Sequence, residues 1–180
     1  ITFLESVNYI DIASSTKASF CLTTDKLKIF LPNTCEPIVV KNVLFELCKV
    51  VRKFYTNADI DTPDSSLKKP TKSKHPKVRF GNNVFVGKNC KIGKNTILGS
   101  NTIIEHDVLI GENCTIGSHT TIKNSIIGNN VVIQDGNKIG QKGFGFIPLK
   151  SKNFKFPHIG KVIIKEKVEI ASSCTIDRGS

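Results

Sequence analysis

The sequence predicts a mainly β protein: a parallel, left-handed hexapeptide β-helix preceded by a small α/β domain. Three observations carry this. An apolar residue recurs at Phe80, Val86, Ile92, Leu98, Ile104, Ile110, Ile116 and Ile122, an unbroken spacing of six. Two residues before most of these stands something small or β-branched, as at Val78, Val84, Cys90, Thr96, Thr102, Val108, Cys114 and Thr120. Residues 1–55 have a different texture, with Val43, Leu44, Leu47, Val50, Val51 and Phe54 on a helical period.

Taken in chain order, "ITF", "ASFCLT" and "PIVVKN" are short strand candidates, and "KNVLFELCKVVRKFY" is an amphipathic helix expected to pack on them. Residues 56–76, "TNADIDTPDSSLKKPTKSKHP", carry three prolines and no periodicity, and read as a connector. The β-helix is assigned to residues 77–180. After a one-residue shortening its series resumes at Ile127, Ile133 and Ile139, then at Ile159, Ile164, Ile170 and Ile176. That gives fifteen inward positions, or five three-strand coils. Many inward residues are followed by Gly, which the pattern attributes to positive φ at a corner. Between Ile139 and Ile159 lies an irregular insertion at 141–158, "QKGFGFIPLKSKNFKFPH".

A prism filled by its own side chains has no internal pocket. Function must then lie on an outer face, in a loop, or between copies of the chain. The formal charge of +11 is compatible with nucleic acid, a membrane surface, a phosphorylated substrate or an acidic protein. The lysines are scattered and not gathered into an arm or stripe, so nucleic acid is not expected, and Lys-rich, Asn-rich composition is also what an AT-rich genome produces. Six cysteines without CxxC or Cys/His spacing read as reduced thiols of a cytoplasmic protein. No apolar run approaches the ~18–20 residues of a membrane span.

No Ser/His/Asp ordering and no P-loop is present. His106 and His119 stand on different faces of a coil, so no metal site is expected. His106, in "IEHDVLIG", is placed at a corner where it could act as a general base or be an ordinary surface histidine.

"IGQKGFGF", then "FPHIGKVIIKEKVEIASSCTIDRGS", together with "HPKVRFG" and "ITFLESVNY", resemble the UDP-3-O-acylglucosamine N-acyltransferases of lipid A biosynthesis in Gram-negative bacteria. The resemblance covers nearly the whole chain. It implies a homotrimer without metal or other cofactor. The reaction implied moves an (R)-3-hydroxyacyl chain from acyl carrier protein to the 2-amine of UDP-3-O-acylglucosamine. It implies that Phe3 and Tyr9 hold the uracil, with Ser6 where the family often has Asn and Lys142 where its loop has Asp. It also implies that the catalytic histidine lies in an I-A-H-N hexad about one coil past "TIDRG", beyond Ser180, so the chain reads as a truncated form without that base. The hexad around His106 resembles instead the catalytic hexad of the related sugar-nucleotide O-acyltransferases. Two alternatives therefore stand: a non-catalytic sugar-nucleotide-binding or assembly fragment, and an O-acyltransferase using His106. The insertion, with Lys142, Lys150, Lys152 and Lys155 and its phenylalanines, is expected to fold out against a neighbouring prism.

Overall fold

A computed structural model describes residues 1–179, which divide into two compact units. Ser180, the last residue of the "TIDRGS" motif, lies outside the described residues.

The first unit comprises residues 1–59 and 145–157. Its elements are β1 (Thr2–Leu4), α1 (Ile10–Ser14), β2 (Phe20–Thr23), β3 (Glu36–Val39) and α2 (Val43–Phe54). The sheet has the order β1-β2-β3 with every pair parallel. Parallel neighbours cannot be joined by a tight hairpin, so the chain between them forms α1 and two short 3-10 turns. Leu4, Cys21, Leu27 and Cys35 make the core. Helix α2 begins at Asn42, whose side-chain oxygen accepts from the Phe45 amide at 2.9 Å. Glu46 lies in its first turn and Arg52 and Lys53 in its last, each sign at the end the helix dipole favours.

Residues Phe146–Pro148 and Asn153–Lys155 form an antiparallel hairpin within this same unit. The Phe154 ring meets Phe45 of α2 edge-on, with centroids 4.8 Å apart. The Arg52 guanidinium lies 4.5 Å over the Phe154 ring and donates to the Lys155 carbonyl at 2.8 Å. For Phe154 this corrects the expectation of packing against a neighbouring prism: α2 of its own chain presents an aromatic ring and a cation to it.

The second unit, residues 60–144 and 158 onward, contains the β-helix. Its three parallel sheets have inward residues Phe80, Leu98, Ile116, Ile133 and Ile170 on one face, and Val86, Ile104, Ile122, Ile139 and Ile176 on the second. Ile92, Ile110, Ile127 and Ile164 occupy the third. Leu98, Ile104, Ile122, Ile133 and Ile139 are fully buried, and the whole series forms one continuous core. Ile159 is not among these strands. Ile127 pairs directly with Ile164, so the series has fourteen members and the insertion leaves the prism after its eleventh strand.

The small residues two positions earlier also point inward. Thr96 and Thr102 are buried and donate their hydroxyls to Gly111 and Gly117 carbonyls on the next coil, at 2.9 and 3.1 Å. The corner glycines have a different cause from the one inferred above. Positive φ falls three residues after the inward position, at Asn83, Asn89, Asn95, Asn101, Asp107, Asn113 and His119. The asparagines among them stack coil on coil, as in Asn95 Nδ2 to Asn113 Oδ1 at 3.1 Å. A Cβ on Gly93 would instead lie 2.5 Å from the backbone carbon of Gly111. Those glycines are there because successive coils approach too closely for a side chain.

Candidate functional site

Two places gather chemistry, one in each unit. In the first unit, Phe3 leaves the middle of β1 and Tyr9 ends the 3-10 turn that follows it. Both rings are solvent-exposed, and with Ser6, Glu5, Ile12 and Thr16 they line a concavity of about 400 Å³. The Ser6 hydroxyl sits between them and accepts from the Asn8 amide at 3.3 Å, capping the turn. The site offers two aromatic faces and a hydroxyl that can still donate, a combination suited to a planar, hydrogen-bonding ring.

In the second unit, a cluster of charge lies along one side of the prism. Glycine follows the inward residue on most coils, but Glu105 and Lys123 take that place on two consecutive coils of one face. Asp61, from the segment before the prism, joins them. Its carboxylate receives Arg178 at 2.6 and 3.1 Å, Lys123 at 2.9 Å and Lys142 at 3.6 Å. The bond from Arg178 is the largest cause holding the Asp61 carboxyl well below the usual carboxylate range. Burial pushes Glu105 the other way, up, although Lys123 stands 3.9 Å off. Arg178 is nearly buried and uses its remaining donors on the carbonyls of His158, 2.9 Å, and Gly140, 3.0 Å. One guanidinium thus holds the departure of the insertion, its return, and the segment bearing Asp61. The neighbouring Asp177 side is exposed.

His106 lies at one end of this side. Its amide donates to Asp64 Oδ2 at 2.8 Å, and its Nδ1 is 2.7 Å from Asp107 Oδ2. Asp107 is lowered below the ordinary carboxylate value, first by the Asn89 amide and then by His106. The ring is half exposed at 46%. A half-exposed imidazole oriented by a carboxylate is an arrangement that general bases share. Among the described residues no group of three His, Cys, Asp or Glu side chains could hold a metal ion.

Sequence reading placed Phe3 and Tyr9, and the structure brings them to one concavity. It did not find Asp61, Glu105 or Lys123. For the last two the loss of glycine from two hexads eighteen residues apart, one coil, was an available signal; for Asp61, set in an aperiodic stretch, there was none.

Residues 89–124 match the family described as bacterial transferase hexapeptide (six repeats). The UDP-3-O-acylglucosamine N-acyltransferase of Rhodopseudomonas palustris is 44% identical over 187 aligned positions, which take in 98% of this chain and 51% of that protein. Over nearly its whole length the chain is a relative of the UDP-3-O-acylglucosamine N-acyltransferases. Shorter matches agree with this. The enzyme of that name from Rickettsia conorii is 53% identical over 62 residues, 34% of this chain and 18% of its own. A second, from Legionella pneumophila, is 52% identical over 60 residues, 33% of this chain and 18% of its own. The chain spans about half the length of the curated relatives it matches. In this family context the parallel prism is a left-handed hexapeptide β-helix. No helix among the described residues is long and apolar enough to cross a membrane.

Proposed function

We propose that the protein binds a UDP-acylglucosamine through its first unit and serves N-acyl transfer to the sugar, in the lipid A pathway of a Gram-negative bacterium. The observation that carries this reading is the concavity in which Phe3 and Tyr9 converge. The uracil lies against the two rings, and the Ser6 hydroxyl meets its edge with one hydrogen bond where an amide would make two. The acyl donor is the thioester of acyl carrier protein, an acidic partner for a chain of formal charge +11. In the reaction the sugar 2-amine forms a bond to the acyl carbonyl carbon as the carbon–sulfur bond breaks. A general base takes the amine proton and the carrier thiol departs protonated. The family resemblance assigns that base to a hexad that follows "TIDRG", and not to His106.

The assembly proposed is a homotrimer. Its support is an outward ladder on the third face of the prism, where Leu109, Ile126 and Ile163 stand in register and Ile163 is 64% exposed. A cytoplasmic setting is supported by six free cysteines.

The His106–Asp107 contact at 2.7 Å favours a second reading, O-acyl transfer with His106 as base. Product chemistry separates the two. The protein is incubated with hydroxyacyl carrier protein and either UDP-3-O-acylglucosamine or UDP-N-acetylglucosamine, and products are analysed by mass spectrometry. The first reading expects any product to be an amide at the 2-amine, formed slowly because none of the residues from Ile1 to Ser180 is assigned as its base, and unaffected by His106→Ala. An ester at the 3-hydroxyl, abolished by His106→Ala, supports the second. Intact sugar-nucleotide binding with neither product supports a non-catalytic binding module.

A further inference from the structure

We propose that a second, separate site in the prism unit binds a small phosphate-bearing anion, in the cavity between residues 68–75 and the first coil. The cavity has a volume of about 420 Å³, within the range of ~300–1,000 Å³ common for small-ligand sites. Its polar walls are Lys68, Lys69, Thr71, Lys74, His75 and Asn89.

The segment that brings these lysines together is fixed at both ends. Lys68 and Val86 exchange backbone hydrogen bonds of 3.1 and 2.9 Å, an antiparallel bridge onto the prism, and the Lys88 amide donates to Ser66 Oγ at 2.9 Å. Further on, the amides of Lys74 and His75 both donate to the Thr71 carbonyl, at 3.2 and 3.1 Å, making a closed turn. The His75 ring then packs edge-on to Phe80, with centroids 6.0 Å apart. The cations are therefore presented by a braced loop and not by a free tail.

The lysines of this wall are not held in ion pairs. Most lysines that approach a carboxylate in this unit do so elsewhere, as Lys94 does with Glu112 and Lys123 with Asp61. Among the described residues no ion pair involves Lys68, Lys69 or Lys74. The acidic groups nearest the opposite wall, around Cys90, are Asp64 and Asp107; both stay ionised and are oriented by their own hydrogen-bond donors, so the three lysines leave a net positive charge over them. Asp64 accepts from the Ser66 amide and hydroxyl and from the His106 amide, and Asp107 from Asn89 and His106. Burial and the adjacent Lys74 charge hold His75 below the ordinary histidine value. Three ammonium groups and a disfavoured imidazolium around one concavity are what a phosphate dianion neutralises, and each lysine can supply a charge-assisted hydrogen bond to it. Phosphate is favoured over a carboxylate because its dianion brings twice the charge to a wall lined by three lysines. None of these residues belongs to the Phe3–Tyr9 concavity, so the proposal stands apart from the reading of that site.

The test uses the 180-residue chain at constant ionic strength. Inorganic phosphate, pyrophosphate and glycerol 3-phosphate are titrated by calorimetry while the His75 ring is followed by NMR. The expected result is saturable binding of at least one of them, with the His75 titration moved to higher pH as the anion binds. Lys68→Gln/Lys74→Gln should weaken that binding by about tenfold or more without changing the thermal midpoint. Preference for glycerol 3-phosphate would identify a phosphate ester as the ligand, and equal or better binding of the inorganic anions would identify the free anion. Absence of saturable binding overturns the proposal. So does undiminished affinity in the double variant, or an identical His75 shift when chloride replaces phosphate at matched ionic strength.

Discussion

Arg178 and Asp61, 117 residues apart in sequence, face each other in a two-pronged ion pair, Nη2 to Oδ1 at 2.6 Å and Nη1 to Oδ2 at 3.1 Å. The same guanidinium donates to the carbonyls on either side of the insertion. Arg178→Ala leaves the Asp61 carboxylate and two carbonyls without their principal donor. It should cost about 3–5 kcal/mol of stability, measured by urea denaturation followed by circular dichroism. Arg178→Lys should recover only part of this, because an ammonium cannot reproduce the planar fork. A loss below about 1 kcal/mol for the alanine variant would remove the guanidinium from its role as the tie among three segments.

The acid limb of the stability curve gives a second check. Asp61 is depressed in the folded state, so its contribution is fully present above its unfolded value of about 4 and is lost as pH falls through the lower folded value. Asp61→Asn should therefore lower stability at neutral pH and flatten the decline below about pH 4. A parallel decline in the two proteins would contradict the assigned shift.

Glycine and asparagine in the hexads have separate jobs, and substitution should separate them. Gly93→Ala brings a methyl group within 2.6 Å of the Glu112 amide nitrogen, a backbone atom that cannot turn aside, and should cost more than about 2 kcal/mol. Asn95, at φ 61°, should tolerate glycine with a loss of about 1 kcal/mol or less, most of it the stacked amide, whereas Asn95→Val should cost more than that. Equal effects of Gly93→Ala and Asn95→Gly in thermal denaturation would count against this division.

Helix α2 meets the hairpin of the first unit through the Phe45 ring and the Arg52 cation. Phe154→Ala removes the contact with Phe45 and the surface beneath Arg52, and should cost about 1–2 kcal/mol. Hydrogen exchange at the amides of residues 146–155 should accelerate by the matching factor, roughly five- to thirtyfold. Unchanged exchange would mean that the hairpin is held by something other than α2.

The prism was legible from residues alone because its pattern is long and redundant: each inward position from Phe80 to Ile122 supports the next. Its local causes were less so. Gly93 and Asn95 both suit positive φ by composition, and only the coil-to-coil distance shows that one serves clearance and the other curvature. Ile159 stands five residues before Ile164, a shortened step like that from Ile122 to Ile127, but it is not a strand residue, since spacing alone cannot tell a coil position from the return of a loop. Phe3 and Tyr9 were found through motif resemblance. Asp61, Lys123 and Arg178 were not found as a group, because an ion-pair cluster assembled from three distant segments leaves no periodic trace.

On the proposed function, the first unit receives the uridine end of a sugar nucleotide between Phe3 and Tyr9. Calorimetric titration of UDP-N-acetylglucosamine into the protein, Phe3→Ala and Tyr9→Ala tests it most directly. Each substitution removes one ring from a stacked base, worth ~1–3 kcal/mol, so affinity should fall by roughly five- to 150-fold with the fold retained. Uridine 5′-diphosphate alone should compete for the same site. Equal affinity in all three proteins, or binding that uridine 5′-diphosphate fails to displace, would contradict the claim.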